Sequence, residues 1–236
     1  MKAERTVLIS GTSKGVGQAL AKSLLDKGHA VIGISRTGAT SLTGQERYTE
    51  YLCDLSDAIQ LEQTVRNVLG RHRSINALVC NAGAGQFRGL EEFSSAQILH
   101  SIQLNLLSHL LLARHCLPIL QQHPCSDVVF IGSESALKGQ KKGTLYCAAK
   151  FGVRGFAQAL RQEVSSRGVR VSIIHPGMLR TPFFDTLDFE PGPDERHAVR
   201  LSEVCHALNM ILDAHPSTVF DEIVVRPLQH VIAPKK

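Results

Sequence analysis

The feature that most restricts the fold is a short apolar segment followed at once by a glycine-rich turn and a helical pattern. Residues Thr6 to Ser10 suit a buried parallel strand, and Gly11-Thr-Ser-Lys-Gly15-Val-Gly17 follows directly. Residues 18–27 then show helical periodicity, with Gly28 as the expected stop. Glycines let a backbone approach a phosphate, and a helix N-terminus offers N–H groups and a positive dipole end. This unit predicts a pyrophosphate cradle, although a plain tight turn would have the same local pattern.

Six further apolar segments have the length of buried strands, at residues 30–35, 48–53, 76–80, 127–131, 169–174 and 221–225. Helical patterns lie between most of them, at about residues 57–70, 95–122, 144–166 and 201–212. Strands that alternate with helices predict an α/β fold with a single doubly wound parallel β-sheet, helices on both faces, of the Rossmann type. We interpret residues 183–198 as a short lid or substrate loop and the tail 226–236 as irregular.

The composition limits the classes of partner. At 236 residues, we expect residues 1–236 to form one domain. The net charge of +5 comes from scattered Lys and Arg, which favours a small anionic ligand over a nucleic acid. The six cysteines form no Cys-x-x-Cys pair, so we expect reduced thiols and no metal site. With no signal-peptide core and no run long enough to span a membrane, a cytoplasmic protein is expected.

The end of the second strand indicates which dinucleotide is preferred. A fold that prefers NAD places an Asp or Glu there for the ribose 2′-hydroxyl. This chain has Ser35-Arg36-Thr37 at that point, and Lys14 lies in the glycine-rich turn. Two cations near the 2′ position predict a 2′-phosphate and therefore NADP(H), the alternative being that Arg36 is a solvated loop residue.

A set of proton-transfer groups surrounds the fifth strand. Ser133 follows that strand, and Tyr146 and Lys150 are four residues apart, which places them on one face of a helix. A cation beside a phenol favours the phenolate and lowers the pKa of the tyrosine towards useful acid–base behaviour. Asn105 lies in an apolar helical stretch and needs partners there, either for a structural hydrogen bond or to hold a water beside the site.

Several of these features fall at the ends of predicted parallel strands. The glycine-rich turn, Arg36, Asn81, Ser133 and Pro176 all do so. Ligands of doubly wound sheets bind at the carboxyl ends of the strands, so we expect one shared site. The small residues around Asn81-Ala82-Gly83 suit the close approach of a ligand, although a plain turn is an equal alternative on local grounds.

Taken together, these motifs resemble the short-chain dehydrogenase/reductase family, in its short single-domain branch. The resemblance runs from Thr6 to about Val225 and keeps the order and spacing of the family's motifs. The matching residues are Gly11, Gly15, Gly17, Asn81-Ala82-Gly83, Asn105, Ser133, Tyr146, Lys150, Pro176-Gly177 and Thr181. The chain departs from the family's pattern at Ser10, where Thr is usual, and at Cys80, where Asn is commoner. The short segment after Thr181 predicts an open substrate pocket.

The resemblance implies an enzyme that transfers a hydride between a nicotinamide and a carbonyl or secondary alcohol. The expected preference for NADP(H) in a reducing cytoplasm favours carbonyl reduction as the working direction. It implies Ser133, Tyr146, Lys150 and Asn105 as catalytic: Ser133 binds the substrate oxygen, Tyr146 moves the proton, Lys150 lowers the tyrosine pKa and holds the ribose, and Asn105 keeps a water. The implied cofactor-binding set is Gly11, Ser13, Lys14, Gly15, Val16, Gly17, Arg36, Asp54, Leu55, Asn81, Ala82, Gly83, Tyr146, Lys150, Pro176, Gly177 and Thr181.

Other interpretations stay open. A catalytically silent NADP(H)-binding redox sensor would keep the same nucleotide site, and an isomerase or dehydratase would use the cofactor transiently. The resemblance also implies a homodimer or homotetramer. The expected partner is a small carbonyl or alcohol whose pocket includes Glu134, Ala84, Gly85, Phe87, Met178, Phe183 and Phe184, without contacts to nucleic acid or membrane.

Overall fold

The computed structural model describes residues 4–235 and is built on a seven-stranded parallel sheet. The strands are β1 (Thr6–Ser10), β2 (Ala30–Ser35), β3 (Tyr48–Leu52), β4 (Ala77–Cys80), β5 (Ser126–Ile131), β6 (Val169–Pro176) and, at the edge, β8 (Glu222–Val225). Their order across the sheet is β3-β2-β1-β4-β5-β6-β8. The chain reverses its direction of winding between β1 and β4, and such a switch point opens a crevice at the carboxyl ends of the strands.

In the described part of the chain, six helices cover both faces of the sheet. They are α1 (Gly15–Asp26), α2 (Ala58–Arg71), α3 (Ser95–Ile102), α4 (Ser108–Leu120), α5 (Thr144–Val164) and α6 (Leu201–Asp213). Side chains of each strand alternate between the faces, so Leu8 packs in the core beneath α2, α4 and α5, while Val7 and Ile9 pack beneath α1 and α6. The doubly wound arrangement predicted from the sequence is confirmed. Within residues 4–235, no helix is long and apolar enough to cross a membrane.

Two local features explain where helices begin. The glycine-rich turn forms the first turn of α1, so this helix starts at Gly15 rather than at the predicted residue 18. Asp57 caps α2, because its carboxylate accepts hydrogen bonds from the N–H groups of Ile59 (2.9 Å) and Gln60 (3.0 Å).

The predicted continuous helix over residues 95–122 is wrong in its middle. A wide π-helical turn, Gln103–Leu107, separates α3 from α4 and contains Asn105. Such turns are frequent at functional sites. Leucine periodicity does not reveal the extra residue in the turn, because the apolar stretch is nearly continuous.

The predictions for the lid and the tail also need correction. Residues 183–198 contain a short strand, β7 (Phe189–Pro191), and the tail contains β9 (Ile232–Pro234). The two pair antiparallel, with Phe189 opposite Pro234 and Pro191 opposite Ile232. Three-residue strands that include prolines have no readable periodicity, and only the folded position of the tail makes the pairing.

Candidate active site

A cavity of about 640 Å³ runs along the carboxyl ends of the sheet, across the switch point. Its volume lies in the range typical of small-molecule and cofactor sites. All of the predicted cofactor-binding residues line it, as do Ser133 and the seven predicted pocket residues. The expectation that the strand ends share one site therefore agrees with the geometry.

The glycine-rich turn has the shape that a pyrophosphate requires. Gly11 and Gly15 have φ values of +77° and +61°, which side-chain-bearing residues rarely adopt. At Gly17 an added Cβ would collide with the carbonyl oxygen of Gly11, so α1 packs directly against the turn. The first N–H groups of α1 therefore face the cavity, next to glycine backbone that carries no side chains. This arrangement fits an anionic dinucleotide.

Ser10 and Asn81 tie β1 to β4 at the switch point. The Ser10 hydroxyl accepts hydrogen bonds from the N–H groups of Asn81 (3.0 Å) and Ala82 (3.1 Å). The Asn81 side-chain amide donates to the carbonyl oxygens of Ser10 (2.9 Å) and Gly11 (3.2 Å). The replacement of the family's usual Thr by Ser10 thus keeps a working hydroxyl, and the Asn81 side chain holds the cradle in place.

At the far end of the cavity, Arg36 lies near Asp54. The Asp54 carboxylate accepts hydrogen bonds from the Ser56 N–H (2.9 Å) and hydroxyl (2.6 Å). These bonds lower the pKa of Asp54, and the charge of Arg36 adds to the effect. This end therefore combines a cation with an ordered carboxylate.

Glu50 on β3 supports this end from beneath and was not predicted. Its carboxylate accepts hydrogen bonds from the hydroxyls of Thr12 (3.1 Å) and Ser35 (2.8 Å), from the Ala39 N–H (2.9 Å), and from the phenol of Tyr48. It joins the glycine-rich turn to the loop that carries Arg36. A polar residue in a strand pattern was the only indication that the sequence offered.

Tyr146 and Lys150 both lie on α5, as predicted, and both are buried. The Lys150 ammonium donates to the carbonyl oxygen of Ile131 (3.0 Å) and lies 5.7 Å from the centre of the Tyr146 ring. Burial lowers the pKa of Lys150 to about 8. The helix therefore brings an ammonium beside the phenol, behind the end of β5.

The direction of the Tyr146 pKa differs from the prediction. Burial raises it above its ordinary value, and the hydrogen bond with the Ser133 hydroxyl opposes this only in part. Lys150 is not a cause of the shift in the Tyr146 pKa, and its ammonium donates to the carbonyl oxygen of Ile131 instead. The cavity therefore keeps Tyr146 as a neutral phenol, which is the form that can donate a proton.

Asn105 lies behind the cavity wall, in the π-helical turn. Its side-chain oxygen accepts from the Ala84 N–H (3.0 Å), and its amide donates to the Ser101 carbonyl (3.0 Å). A Cβ added to Gly83 would lie 2.8 Å from that oxygen and 3.7 Å from the Lys150 ammonium. Asn105 and Lys150 therefore meet at one backbone turn, and only a glycine fits there.

Two histidines at the site were also missed. His175 is fully buried, and its Nδ1 lies 3.0 Å from the carbonyl oxygen of Ser133, so it fixes the backbone of that residue. His230 of the tail lines the cavity together with Ile232. The position of His175 just before Pro176-Gly177 could have suggested a role, whereas nothing local in the tail does. The tail forms part of the pocket wall, with its lining residues about half exposed.

Comparisons with known proteins agree with this geometry. The family model for short chain dehydrogenase matches residues 5–190. The 3-oxoacyl-(acyl-carrier-protein) reductase FabG of Haemophilus influenzae is 31% identical over 208 residues, covering 85% of this chain and 82% of the relative.

Two solved structures share the fold. An alcohol dehydrogenase from the archaeon Thermococcus sibiricus complexed with 5-hydroxy-NADP has a TM-score of 0.86 at 23% identity, covering 97% of this chain and 99% of the other. A 3-ketoacyl-(acyl-carrier-protein) reductase from Brucella melitensis complexed with NADH has a TM-score of 0.83 at 19% identity, covering 94% and 97%. The matched family model and the reductase relative establish that this chain belongs to the short-chain dehydrogenase/reductase family of oxidoreductases.

Proposed function

We propose that the chain, acting as a single domain, is an NADP(H)-dependent oxidoreductase that interconverts a carbonyl compound and its secondary alcohol. The observation that supports this most is the buried phenol of Tyr146, held beside Ser133 and Lys150 in the cavity that contains the glycine-rich turn. A proton donor and a dinucleotide cradle in one cavity are the two parts that hydride transfer requires.

The cofactor, when bound, supplies the hydride to the carbonyl carbon or takes it from the alcohol carbon. The Ser133 hydroxyl donates a hydrogen bond to the substrate oxygen and orients it. Tyr146, kept neutral by burial, gives its proton to that oxygen as the carbonyl becomes an alcohol, and takes the proton back in the reverse direction. Two electrons and one proton thus reach the carbonyl as hydride, and the second proton comes from the phenol.

Lys150 and Asn105 support the phenol from behind. The Lys150 ammonium stabilises negative charge on the tyrosine oxygen after the proton has left. Asn105 acts as a positioning residue, because it holds the backbone turn of Gly83 and Ala84 next to Lys150. A water beside this turn, which the family resemblance implies, would return the proton to Tyr146.

The preference for NADP(H) rests on the charges at the end of β2. Arg36 and Lys14 line the cavity, and the residues that end the strand include no acid. The nearest acid on the neighbouring strand, Glu50, is engaged by four donors and is not free to accept a ribose hydroxyl. The two solved structures differ in their ligand, since the alcohol dehydrogenase is complexed with 5-hydroxy-NADP and the 3-ketoacyl reductase with NADH.

The test is to mix the protein with NADPH and a panel of aldehydes and ketones, and to follow the absorbance of the reduced nicotinamide. We expect turnover, and we expect Tyr146→Phe to reduce it by about 100-fold to 10,000-fold while leaving NADPH binding largely intact. Tight NADPH binding without turnover on a broad panel would favour the redox sensor instead. Retained activity in Tyr146→Phe would remove the proton-donor role.

Two further parts of the proposal follow from the family resemblance and the cysteine pattern. We infer a homodimer or homotetramer, to be checked by light scattering of the purified chain. The six cysteines are free thiols in the structure. Because free thiols are typical of reducing compartments, we infer a cytoplasmic location.

A further inference from the structure

The substrate half of the cavity has an aromatic wall around the reacting phenol. The Phe87 ring lies 5.3 Å from the Tyr146 ring, and the Phe183 ring lies 5.8 Å from it on another side. Both rings approach Gly85 so closely that an added Cβ would collide with Phe183 and lie 2.8 Å from Phe87. Both rings are tilted against the phenol, by 52° and 56°, and they give this part of the cavity an apolar aromatic surface.

Another wall holds a carboxylate with free acceptor capacity. Glu134 directly follows Ser133, lines the cavity, and has a side chain that is 15% exposed. One of its oxygens lies 3.6 Å from Nδ1 of His230 on the C-terminal tail. Between residues 4 and 235, no donor lies within hydrogen-bonding distance of this carboxylate. A largely buried carboxylate next to the residue that orients the substrate oxygen is therefore available to the substrate.

The cations of the cavity lie elsewhere. Arg36 follows β2, whereas Glu134 follows β5, and three strand spacings separate these strands in the sheet. At about 4.8 Å per spacing the separation is about 14 Å. Lys14 lies with Arg36 at the nucleotide end, and the Lys150 ammonium is bonded to the Ile131 carbonyl. Arg226 approaches the Glu134 carboxylate at Gly177, but its side chain is exposed, so Glu134 is the largely buried charge that a substrate group would meet on this wall.

We propose that the substrate of this site is an apolar carbonyl compound whose distal group is a cation or a neutral hydrogen-bond donor, and that Glu134 selects it against carboxylates. The inference rests on the proposed reductase function and narrows its substrate class. Like charges in a partly desolvated cavity repel far more than in water, whereas a distal cation gains an ion pair. His230 of the tail lies 3.6 Å from one Glu134 oxygen, at the rim of this wall.

The experiment measures kcat/KM with NADPH for three benzaldehydes that differ only at the para position. The substituents are trimethylammoniomethyl, carbamoylmethyl and carboxymethyl, and the methylene group insulates the carbonyl from their electronic effects. We expect the cationic aldehyde to be preferred over the anionic one by at least about tenfold, with the neutral one between them. Raising the salt concentration should reduce this ratio.

The decisive variant is Glu134→Gln, which keeps the shape of the side chain and removes its charge. We expect the ratio of kcat/KM for the cationic aldehyde to kcat/KM for the anionic aldehyde to fall at least about tenfold in this variant, towards one. Glu163→Gln, an exposed position on α5, is the matched control and should leave the ratio unchanged. NADPH titration of each variant shows whether the cavity has folded correctly.

A wild-type ratio near one, a preference for the anion, or a ratio that survives Glu134→Gln would overturn the inference. If no aldehyde is turned over, the reductase proposal fails separately. Calorimetry then measures the binding of the three corresponding benzyl alcohols to the protein with NADP. The ratio of the affinities for the cationic and the anionic alcohol reports the same charge preference without turnover. The two failures are therefore distinguishable.

Discussion

The Lys150 ammonium lies 3.0 Å from the carbonyl oxygen of Ile131, the last residue of β5. This bond joins α5 to the strand that precedes Ser133, so the helix that carries Tyr146 is fixed relative to the residue that orients the substrate oxygen. It also means that a cation is held in a fully buried position, where its charged form loses hydration.

The pH dependence of stability should therefore reveal Lys150. Burial lowers its pKa from 10.5 to about 8, so between these values the unfolded chain binds more protons than the folded chain. The contribution of Lys150 to the free energy of unfolding therefore increases as the pH rises from about 8 to 10.5. The total increase is on the order of 3 kcal/mol at most. Urea unfolding at several pH values should show the wild type gaining stability relative to Lys150→Met as pH rises. Lys22→Met, on the exposed surface of α1, is the control, and parallel curves for wild type and Lys150→Met would contradict the prediction.

Removing the cation at the end of β2 should change the choice of cofactor. We expect Arg36→Ala to weaken NADPH binding by about 10-fold to 100-fold, because a charged hydrogen bond to the 2′-phosphate is lost, and to leave NADH binding nearly unchanged. Fluorescence titration of both cofactors measures this. Arg66→Ala, on the exposed surface of α2, serves as the control. Equal affinity of the wild type for NADH and NADPH would defeat the argument for a 2′-phosphate.

Glu50 should act as a positioning residue for the nucleotide. Glu50→Gln cannot accept all four hydrogen bonds, because only one of its two terminal side-chain atoms is an acceptor. We expect a loss of about 1–3 kcal/mol of unfolding free energy and weaker NADPH binding, measured by urea unfolding and fluorescence titration. Tyr48→Phe removes one of the four donors and should have an intermediate effect. The exposed Glu46→Gln is the matched control, and an unchanged NADPH affinity in Glu50→Gln would remove the positioning role.

At the opposite, amino-terminal edge of the sheet, Asp127 should be a determinant of stability alone. Its carboxylate is 1% exposed and pairs with Arg170 (2.8 and 2.9 Å) and with Arg5. Asp127→Ala leaves two arginines without their buried partner, so we expect a loss of about 3–5 kcal/mol in urea unfolding.

The control for Asp127 is Asp26→Ala, which breaks an exposed pair with Lys22 and should cost less than about 1 kcal/mol. Folded Asp127→Ala should bind NADPH as the wild type does, since the pair lies far from the carboxyl ends of the strands. Equal losses in the two variants would show that the buried pair contributes no more than an exposed one.

Sequence patterns predicted a strand or helix well where its formation depends only on residues that are adjacent in the chain. The seven strands of the main sheet were found within two residues at their ends, and Tyr146 and Lys150 share a helix because four-residue spacing alone places them so. The π-helical turn at Asn105 and the β7–β9 pair were not predicted. An extra residue in a continuous apolar helix changes no periodicity, and a pairing between residues about forty positions apart leaves no local trace.

The sequence by itself determined the doubly wound sheet, the glycine-rich turn and the set of polar residues at the strand ends, since strand length, helical period and glycine spacing are properties of adjacent residues. The tertiary structure decided how those residues act. It turned the Lys150 ammonium towards Ile131, kept Tyr146 a neutral phenol by burial, placed Glu50 beneath the loop of Arg36, and brought His230 to Glu134. Each of these depends on burial or on contacts between distant parts of the chain, which only the packed fold creates.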